Sequence, residues 1–357
     1  MEGGFWKNKR VLITGNTGFK GSWLSLWLLK LGAEVHGYSL EPITDPSLFD
    51  LCCLNNDIRT VTGDIRDDVK LTKSVKEINP EIIIHMAAQA IVRQSYSRPV
   101  DTYSVNVMGT VNILEAARKT ERVRAVINVT TDKCYENREW CWGYRENDAL
   151  GGYDPYSSSK ACSELVTAAY RNSFLKDHKI GVATARAGNV IGGGDWAEDR
   201  LIPDFIRALL KNEKIKLRNP CAIRPWQHVL EPLFGYMLLA QKLYEKSDTY
   251  SEAWNFGPDA IDAKTVEWVI KKLYSLWGSN AEIEYENGFL PHEANFLKLD
   301  CSKAVNKLGW QPKWNMDKTL EKVVEWLRAY VNNADLRSIC FEQIHEYEST
   351  FIEVKND

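Results

Sequence analysis

Tyr156 and Lys160 stand four residues apart behind Asp154-Pro155, and Pro155 suits the first turn of a helix, where its missing N–H costs nothing. On that helix the phenol and the ammonium share one face. An ammonium beside a phenol favours the phenolate, lowering the tyrosine toward working pH and making it a base. A Tyr-x-x-x-Lys pair alone is more often two ordinary residues on a solvated helix. Here it follows Ala125–Val129, an apolar β-branched run that reads as a buried strand and ends in Thr130-Thr131-Asp132-Lys133. A hydroxyl, a carboxyl and an amine therefore meet the phenol near one strand end.

A second constellation opens the chain. Lys9-Arg10-Val11-Leu12-Ile13-Thr14 reads as a strand, runs into Gly15-x-x-Gly18-Phe19-Lys20-Gly21, and gives way to an apolar helix over 22–29. Strand, glycine loop and helix form the setting of a dinucleotide fingerprint, although the spacing is not Gly-x-Gly-x-x-Gly. Glycines let the backbone approach a pyrophosphate, and the helix N-terminus offers oriented N–H donors. A second strand over 34–38 is followed by Ser39-Leu40-Glu41, so the acidic residue that usually meets the adenosine ribose is missing or displaced. Lys20 would even favour a 2′-phosphate, so NAD and NADP both stay open.

The elements that must carry these groups follow in order. A third strand ends near Asp64-Ile65; the aspartate suits an adenine amino group and equally the cap of the next helix. The fourth strand, read over 82–89, has Ala87-Ala88 toward its end, small enough for a cofactor's ribose and phosphates to lie close. His85 inside it reads as a satisfied core histidine. Helices are predicted over 101–119 and 157–174; Asn106 on the first would tether a water or backbone, or act structurally. A strand over 182–186 and another over 253–257 complete a doubly wound parallel sheet, an α/β fold. Between them the glycine-rich stretch 187–196, with Arg200 and Arg224, suits a lid over an anionic ligand. The expected division is a dinucleotide-binding domain, 1–187 plus 226–260, and a smaller C-terminal lobe that binds the substrate, 188–225 plus 261–357. Trp268, Trp277, Trp310, Trp314 and Trp326 read as packing.

Composition bounds the partners. With 357 residues the chain can bury a large core, and a net charge of −3 gives no reason to expect nucleic acid or an anionic membrane. No apolar run is long enough to span a bilayer, and the first ten residues lack a signal-peptide core. Eight cysteines without Cys-x-x-Cys or Cys/His spacing read as reduced thiols of a cytoplasmic protein, with no metal site.

Gly15-x-x-Gly18-x-x-Gly21, the Asp64 segment, Tyr156-x-x-x-Lys160, Arg186 and Asn189 together resemble the extended short-chain dehydrogenase/reductases over most of residues 10–315. Thr131-Asp132 resembles the sugar-nucleotide 4,6-dehydratases, whose strand end reads Thr-Asp-Glu; Lys133 departs where the dTDP-glucose enzymes have a general base. That departure, with Gly192-Gly193-Gly194-Asp195-Trp196 and Ile223-Arg224-Pro225-Trp226-Gln227-His228-Val229, is similar to the branch that acts on CDP-D-glucose. The resemblance implies a Rossmann-type lyase that uses NAD, with NADP left open, and regenerates it in each turnover.

It also implies roles. Tyr156 takes the 4-hydroxyl proton, Lys160 steadies the phenolate and the nicotinamide ribose, and Thr131 orients the hydroxyl. Asp132 protonates the departing 6-hydroxyl. Lys133 is the C5 base, with an enolate-stabilising ammonium and a solvated lysine as alternatives. Gly15, Gly18, Phe19, Lys20, Gly21, Asp64, Ile65, Ala87, Ala88, Gln89, Asn106 and Thr130 line the cofactor. Arg224 clamps the substrate pyrophosphate with Asn189 and Arg200, while Arg93 and His292 are further candidates for which surface or structural roles are as open. Copies of the chain would pair through helices 101–119 and 157–174 into a homodimer or homotetramer, and the product would feed deoxysugars of surface polysaccharide such as lipopolysaccharide O-antigen. Two rivals share the fold: a nucleotide-sugar 4-epimerase or decarboxylase, and a non-enzymatic dinucleotide sensor, which could dispense with Tyr156 and Lys160.

Overall fold

The structure, a computed structural model, describes residues 4–280, 282–286, 294 and 296–351. Its strands are β1 (Arg10–Thr14), β2 (Glu34–Ser39), β3 (Arg59–Thr62), β4 (Ile82–His85), β5 (Ala125–Val129), β6 (Gly181–Ala187) and β7 (Val190–Ile191). There follow β8 (Ile215–Leu217), β9 (Ile223–Arg224), β10 (Gln227–His228), β11 (Ala253–Phe256), β12 (Lys264–Thr265) and β13 (Ile283–Tyr285). The helices of the first half are α1 (Phe19–Lys30), α2 (Leu48–Leu51), α3 (Asp68–Ile78), α4 (Val92–Ser97), α5 (Pro99–Tyr103), α6 (Gly109–Arg118) and α7 (Pro155–Tyr170). Those of the second are α8 (Leu201–Lys211), α9 (Leu230–Glu245), α10 (Ser247–Tyr250), α11 (Val266–Trp277), α12 (Met316–Val331) and α13 (Leu336–Ser349).

Seven strands form one sheet in the order β11-β6-β5-β4-β1-β2-β3. Every pairing in it is parallel. Sheets of this kind are covered on both faces, which is why β4 and β5 are wholly buried and read as continuous apolar runs. Two apolar clusters flank the sheet: α3 and α6 contribute to one, α1, α9, α11, α12 and α13 to the other. The strand order reverses between β1 and β4, and the carboxyl ends of the strands there open a crevice.

Local chemistry sets the helix starts. Pro155 is the first residue of α7, and Asp154 caps it by accepting from the Ser157 N–H at 2.9 Å. The helix predicted over 101–119 starts earlier, at Pro99, and passes through a π-turn at Ser104–Met108 before α6; the one predicted over 157–174 ends in a π-turn at Arg171–Leu175. Gly192-Gly193-Gly194 is not a lid. Side chains there would strike Val229 at 2.9 Å from Gly192, the Trp326 ring at 2.0 Å from Gly193 and Leu48 at 2.6 Å from Gly194, so the run lies packed into the fold. Trp310, Trp314 and Trp326 are buried, and Trp268 and Trp277 pack on the same core, as expected. All eight cysteines are free thiols. Among the described residues no helix is long and apolar enough to cross a membrane, and no cluster of His, Cys, Asp or Glu could hold a metal ion.

Candidate active site

A cleft of about 1030 Å³ runs along the carboxyl ends of the strands, from Ser39 and Asp64 at one end to Leu217 and Asn219 at the other. The glycine loop forms its wall. Gly15 takes φ +75°, and a side chain there would meet the Ala87 backbone at 2.8 Å; one on Gly21 would meet the Gly15 carbonyl at 2.2 Å. Gly18 differs: a Cβ would touch only the Gly15 carbonyl, at 3.5 Å, so the fold itself leaves room there. Gly18 caps α1 without a side chain and no acid occupies the first turn, so the N-terminal amides face the cleft undiminished. Phe19, Ile65, Ala87, Ala88 and Gln89 line the same wall.

Asp64 lines the cleft and does not cap the next helix; Asp67 does, accepting from the Lys70 N–H at 2.9 Å. Asp64 instead accepts from Arg66, which holds its carboxyl below the usual range. Asn106 is buried behind the wall. Its amide grips both backbone groups of Gln89, at 2.9 and 3.0 Å, and reaches Ser159 at 2.8 Å, so it positions the wall from behind and does not face a ligand. His85 is the expected core histidine, bonded to Thr14 at 2.7 Å and held neutral by burial, which brings it down to about 3. Lys20 does not turn toward the Ser39 end. Its ammonium donates to Tyr236 on α9 at 2.9 Å and feels Lys160, Arg200 and Asp132, which places it at the reacting end.

The reacting end gathers Thr130, Thr131, Asp132, Lys133, Tyr156 and Lys160 on one face of the cleft. The turn Asp132–Cys134 follows β5 directly, and Thr131 caps it by accepting from the Lys133 N–H. The Thr131 hydroxyl also donates to Asp132 Oδ1 at 3.0 Å and sits near enough to Tyr156 to favour its phenolate. Burial pushes the Asp132 carboxyl up against the opposing pull of Lys133, Thr131 and Arg224. Its Oδ2 is buried with no partner among the described residues. Lys133 is half-buried in the cleft wall.

The polypeptide alone does not deliver the lowered phenol expected from Tyr-x-x-x-Lys. Burial raises Tyr156 to about 12, outweighing Thr131 and Arg200. Lys160 donates to the Val129 carbonyl at 3.2 Å, and burial lowers it to about 8. Behind both lies a polar layer that sequence inspection missed. Glu164, one more helical turn along α7, accepts from Thr130, from Thr184 at 2.7 Å and from Arg186 at 2.8 Å, all buried. Burial works against its charge, yet the Arg186 guanidinium keeps Glu164 below the ordinary range. Positions 156, 160 and 164 are four apart, so the helical period would have found it.

The cations sort themselves by partner. Arg224 is buried on β9, near enough to Asp132 to favour its ionised form. Arg200 pairs with Asp195 at 3.0 Å, and Arg93 pairs across the cleft with Asp199 at 3.0 Å, which Arg218 also meets at 3.2 Å. Asn189 lines the cleft while its carbonyl accepts from the Gln227 N–H. Asp199, Arg218 and Tyr236 had no local sequence signal. His292 lies outside the described residues.

Residues 12–323 match the family model of GDP-mannose 4,6 dehydratase. The chain belongs to that family. Among curated members it is 54% identical over 350 residues to the CDP-glucose 4,6-dehydratase of Salmonella typhimurium, covering 97% of this chain and 98% of that one. The dTDP-D-glucose 4,6-dehydratase of Homo sapiens is 28% identical over 349 residues, 93% of each chain. Among solved structures, dTDP-glucose 4,6-dehydratase from Bacillus anthracis in complex with NAD superposes with a TM-score of 0.77 at 23% identity, over 92% of this chain and 99% of that one. UDP-glucose 4-epimerase from Thermotoga maritima gives 0.79 at 22% identity, over 90% and 99%. The two structures establish the shared fold. Membership in this dehydratase family carries the short-chain dehydrogenase/reductase type expected from the motifs.

Proposed function

We propose that the chain is a lyase that converts CDP-D-glucose to CDP-4-keto-6-deoxy-D-glucose and water. The observation that carries this reading is Asp132, a buried carboxyl with an unpartnered oxygen, set between Thr131 with Tyr156 on one side and Lys133 on the other. An epimerase needs the tyrosine but no acid beside it; a dehydratase needs both. The high identity to the CDP-glucose enzyme supports the choice of nucleotide.

The cradle fits NAD. Gly15 and Gly21 leave no space for side chains, Gly18 leaves its space to a ligand, and the α1 amides suit a pyrophosphate. Asp64 and Ile65 would hold the adenine end, with Ala87, Ala88, Gln89, Thr130 and Lys160 along the ribose and nicotinamide. A bound NAD would supply the acceptor for the C4 hydride and its donor to C6, and its positive ring would add to the charges that favour the Tyr156 phenolate.

The protein's own groups then manage protons. Tyr156 Oη accepts the proton of the 4-hydroxyl, which the Thr131 hydroxyl orients. The ketone formed at C4 acidifies C5, and Lys133 removes that proton. Asp132, whose carboxyl burial raises above its ordinary range, gives its proton to the departing 6-hydroxyl, which leaves as water. Arg224 clamps the pyrophosphate, with Asn189, Arg200 and Arg93 along the same ligand. We assign residues 1–187 plus 226–260 to dinucleotide binding and 188–225 plus 261–357 to the nucleotide sugar. Val100, Met108 and Leu165 are exposed apolar side chains on the α5–α6 stretch and on α7, a surface suited to pairing with a second copy in a four-helix bundle. Eight free thiols suit the reducing cytoplasm.

Incubation with CDP-, dTDP-, GDP- and UDP-glucose tests the substrate. A product lighter by one water should form from CDP-glucose first; an isomer of unchanged mass would point to epimerisation.

A further inference from the structure

Glu164 does not line the cleft, yet it sits one helical turn from Lys160 on the buried face of α7. An ion pair buried with Arg186 is a poor source of stability, because apolar residues of the same volume commonly hold a fold as well. Two contacts run from this carboxylate toward the reaction. It accepts from Thr130, the neighbour of Val129, and the Val129 carbonyl is what Lys160 donates to at 3.2 Å. Holding Thr130 therefore fixes the end of β5 against which the amine rests. The charge of Glu164 also acts on the amine directly. Burial lowers Lys160 to about 8, and Glu164 is the strongest influence that opposes the fall, ahead of Cys134. Burial pushes that thiol up, away from its thiolate. The other charged or titratable groups about Lys160 are Tyr156 one turn back on α7, His85 on β4 and Lys20 on α1, while Arg186 on β6 pairs with Glu164. Toward the π-turn and α6, the helix meets the neutral side chains of Asn106 and Thr110, bonded to Ser159 and Ser163.

We propose that Glu164 is a positioning residue for the reaction: from the layer beneath the site, its carboxylate keeps Lys160 an ammonium and in place, and so supplies the charge that the Tyr156 phenol needs to become a base. This rests on the NAD-dependent dehydratase reading above. An amide at position 164 would fill the same volume and keep hydrogen bonds. It would leave Lys160 to its burial and to the cation of Arg186, with no anion to oppose them, and the amine would lose its proton at lower pH.

The titration of Lys160 itself is the test. The pH dependence of its acetylation by a trace of acetic anhydride is followed by mass spectrometry of the Lys160 peptide, without cofactor, in the parent, Glu164→Gln and Glu164→Asp. The parent should reach half-reactivity at about 8. Glu164→Gln should reach it at least about one pH unit lower, and Glu164→Asp, which keeps the charge, within about half a pH unit of the parent. A purely structural Glu164 would lower stability in Glu164→Gln and leave the midpoint where it was; that result overturns the inference. If Glu164→Gln does not fold, Glu164→Gln combined with Arg186→Gln leaves no buried charge unpaired, and its midpoint must still fall below the parent's. Mixed with CDP-D-glucose at about pH 7, Glu164→Gln should reduce bound NAD on the order of tenfold more slowly than the parent, and Glu164→Asp should regain most of the rate. Equal rates in parent and Glu164→Gln overturn the service to Tyr156. A parent whose Lys160 titrates as expected but which reduces no bound NAD would overturn the dehydratase reading instead.

Discussion

Tyr156 and Asp132 divide the chemistry because one environment treats their two protons differently. Burial raises both in the polypeptide alone, the phenol to about 12 and the carboxyl above its ordinary range. Tyr156→Phe removes the base and keeps the ring, and should lower turnover by roughly two to four orders of magnitude in a steady-state assay. Asp132→Asn leaves Tyr156 and Thr131 in place but removes the acid. It should still reduce bound NAD on meeting substrate, with reduced cofactor accumulating in absorbance; normal turnover, or no reduction at all, would contradict its role. Lys133→Met should allow that reduction too, while stopping exchange of the C5 hydrogen with solvent. Exchange at the parental rate would place the base elsewhere and leave Lys133 as an enolate-stabilising ammonium.

At the scale of the element, α7 is the unusual piece. It buries a polar face, Tyr156, Lys160, Ser163, Glu164 and Thr167, against β5 and β6, and exposes Leu165. Asn128 on β5 donates to Ser163 and Thr167, and Arg186 on β6 donates to Glu164, so the catalytic tyrosine and lysine stand on a bonded layer. Glu164→Gln leaves the Arg186 charge buried without its partner and should lower unfolding free energy by about 3–5 kcal/mol in urea titration. The strands were readable in the sequence because a parallel sheet buried on both faces writes itself as apolar runs, and Tyr156 with Lys160 was readable from spacing. Glu164 obeyed the same spacing but reads as a surface residue. The partners of Lys20 and Lys160 were not readable: Tyr236 lies 216 positions from Lys20, and Lys160 bonds a backbone carbonyl 31 positions away. The glycine run misread as a lid shows the same gap, since Leu48, Val229 and Trp326, all distant in sequence, are what it packs against.

At the scale of the molecule, the C-terminal helices close back on the first. Glu348 of α13 accepts from Trp27 of α1 at 2.8 Å, and Tyr347 donates to Glu231 of α9 at 2.6 Å. Burial raises Glu231 to about 7 although Trp314 and Lys313 amides bond it. A carboxyl raised on folding gives stability fully present below its unfolded value, 4.5, and lost as pH rises through about 7. Between about pH 5 and about pH 8 the parent should lose on the order of 2–3 kcal/mol more than Glu231→Gln, read from urea midpoints.

The central claim is an oxidation, an elimination and a reduction within one turnover, and the fate of the C4 hydrogen tests it most directly. CDP-D-glucose carrying deuterium at C4 should give a 4-keto-6-deoxy product with that deuterium at C6, one water lighter, and no net change in cofactor. Deuterium retained at C4, or lost to solvent, would contradict it.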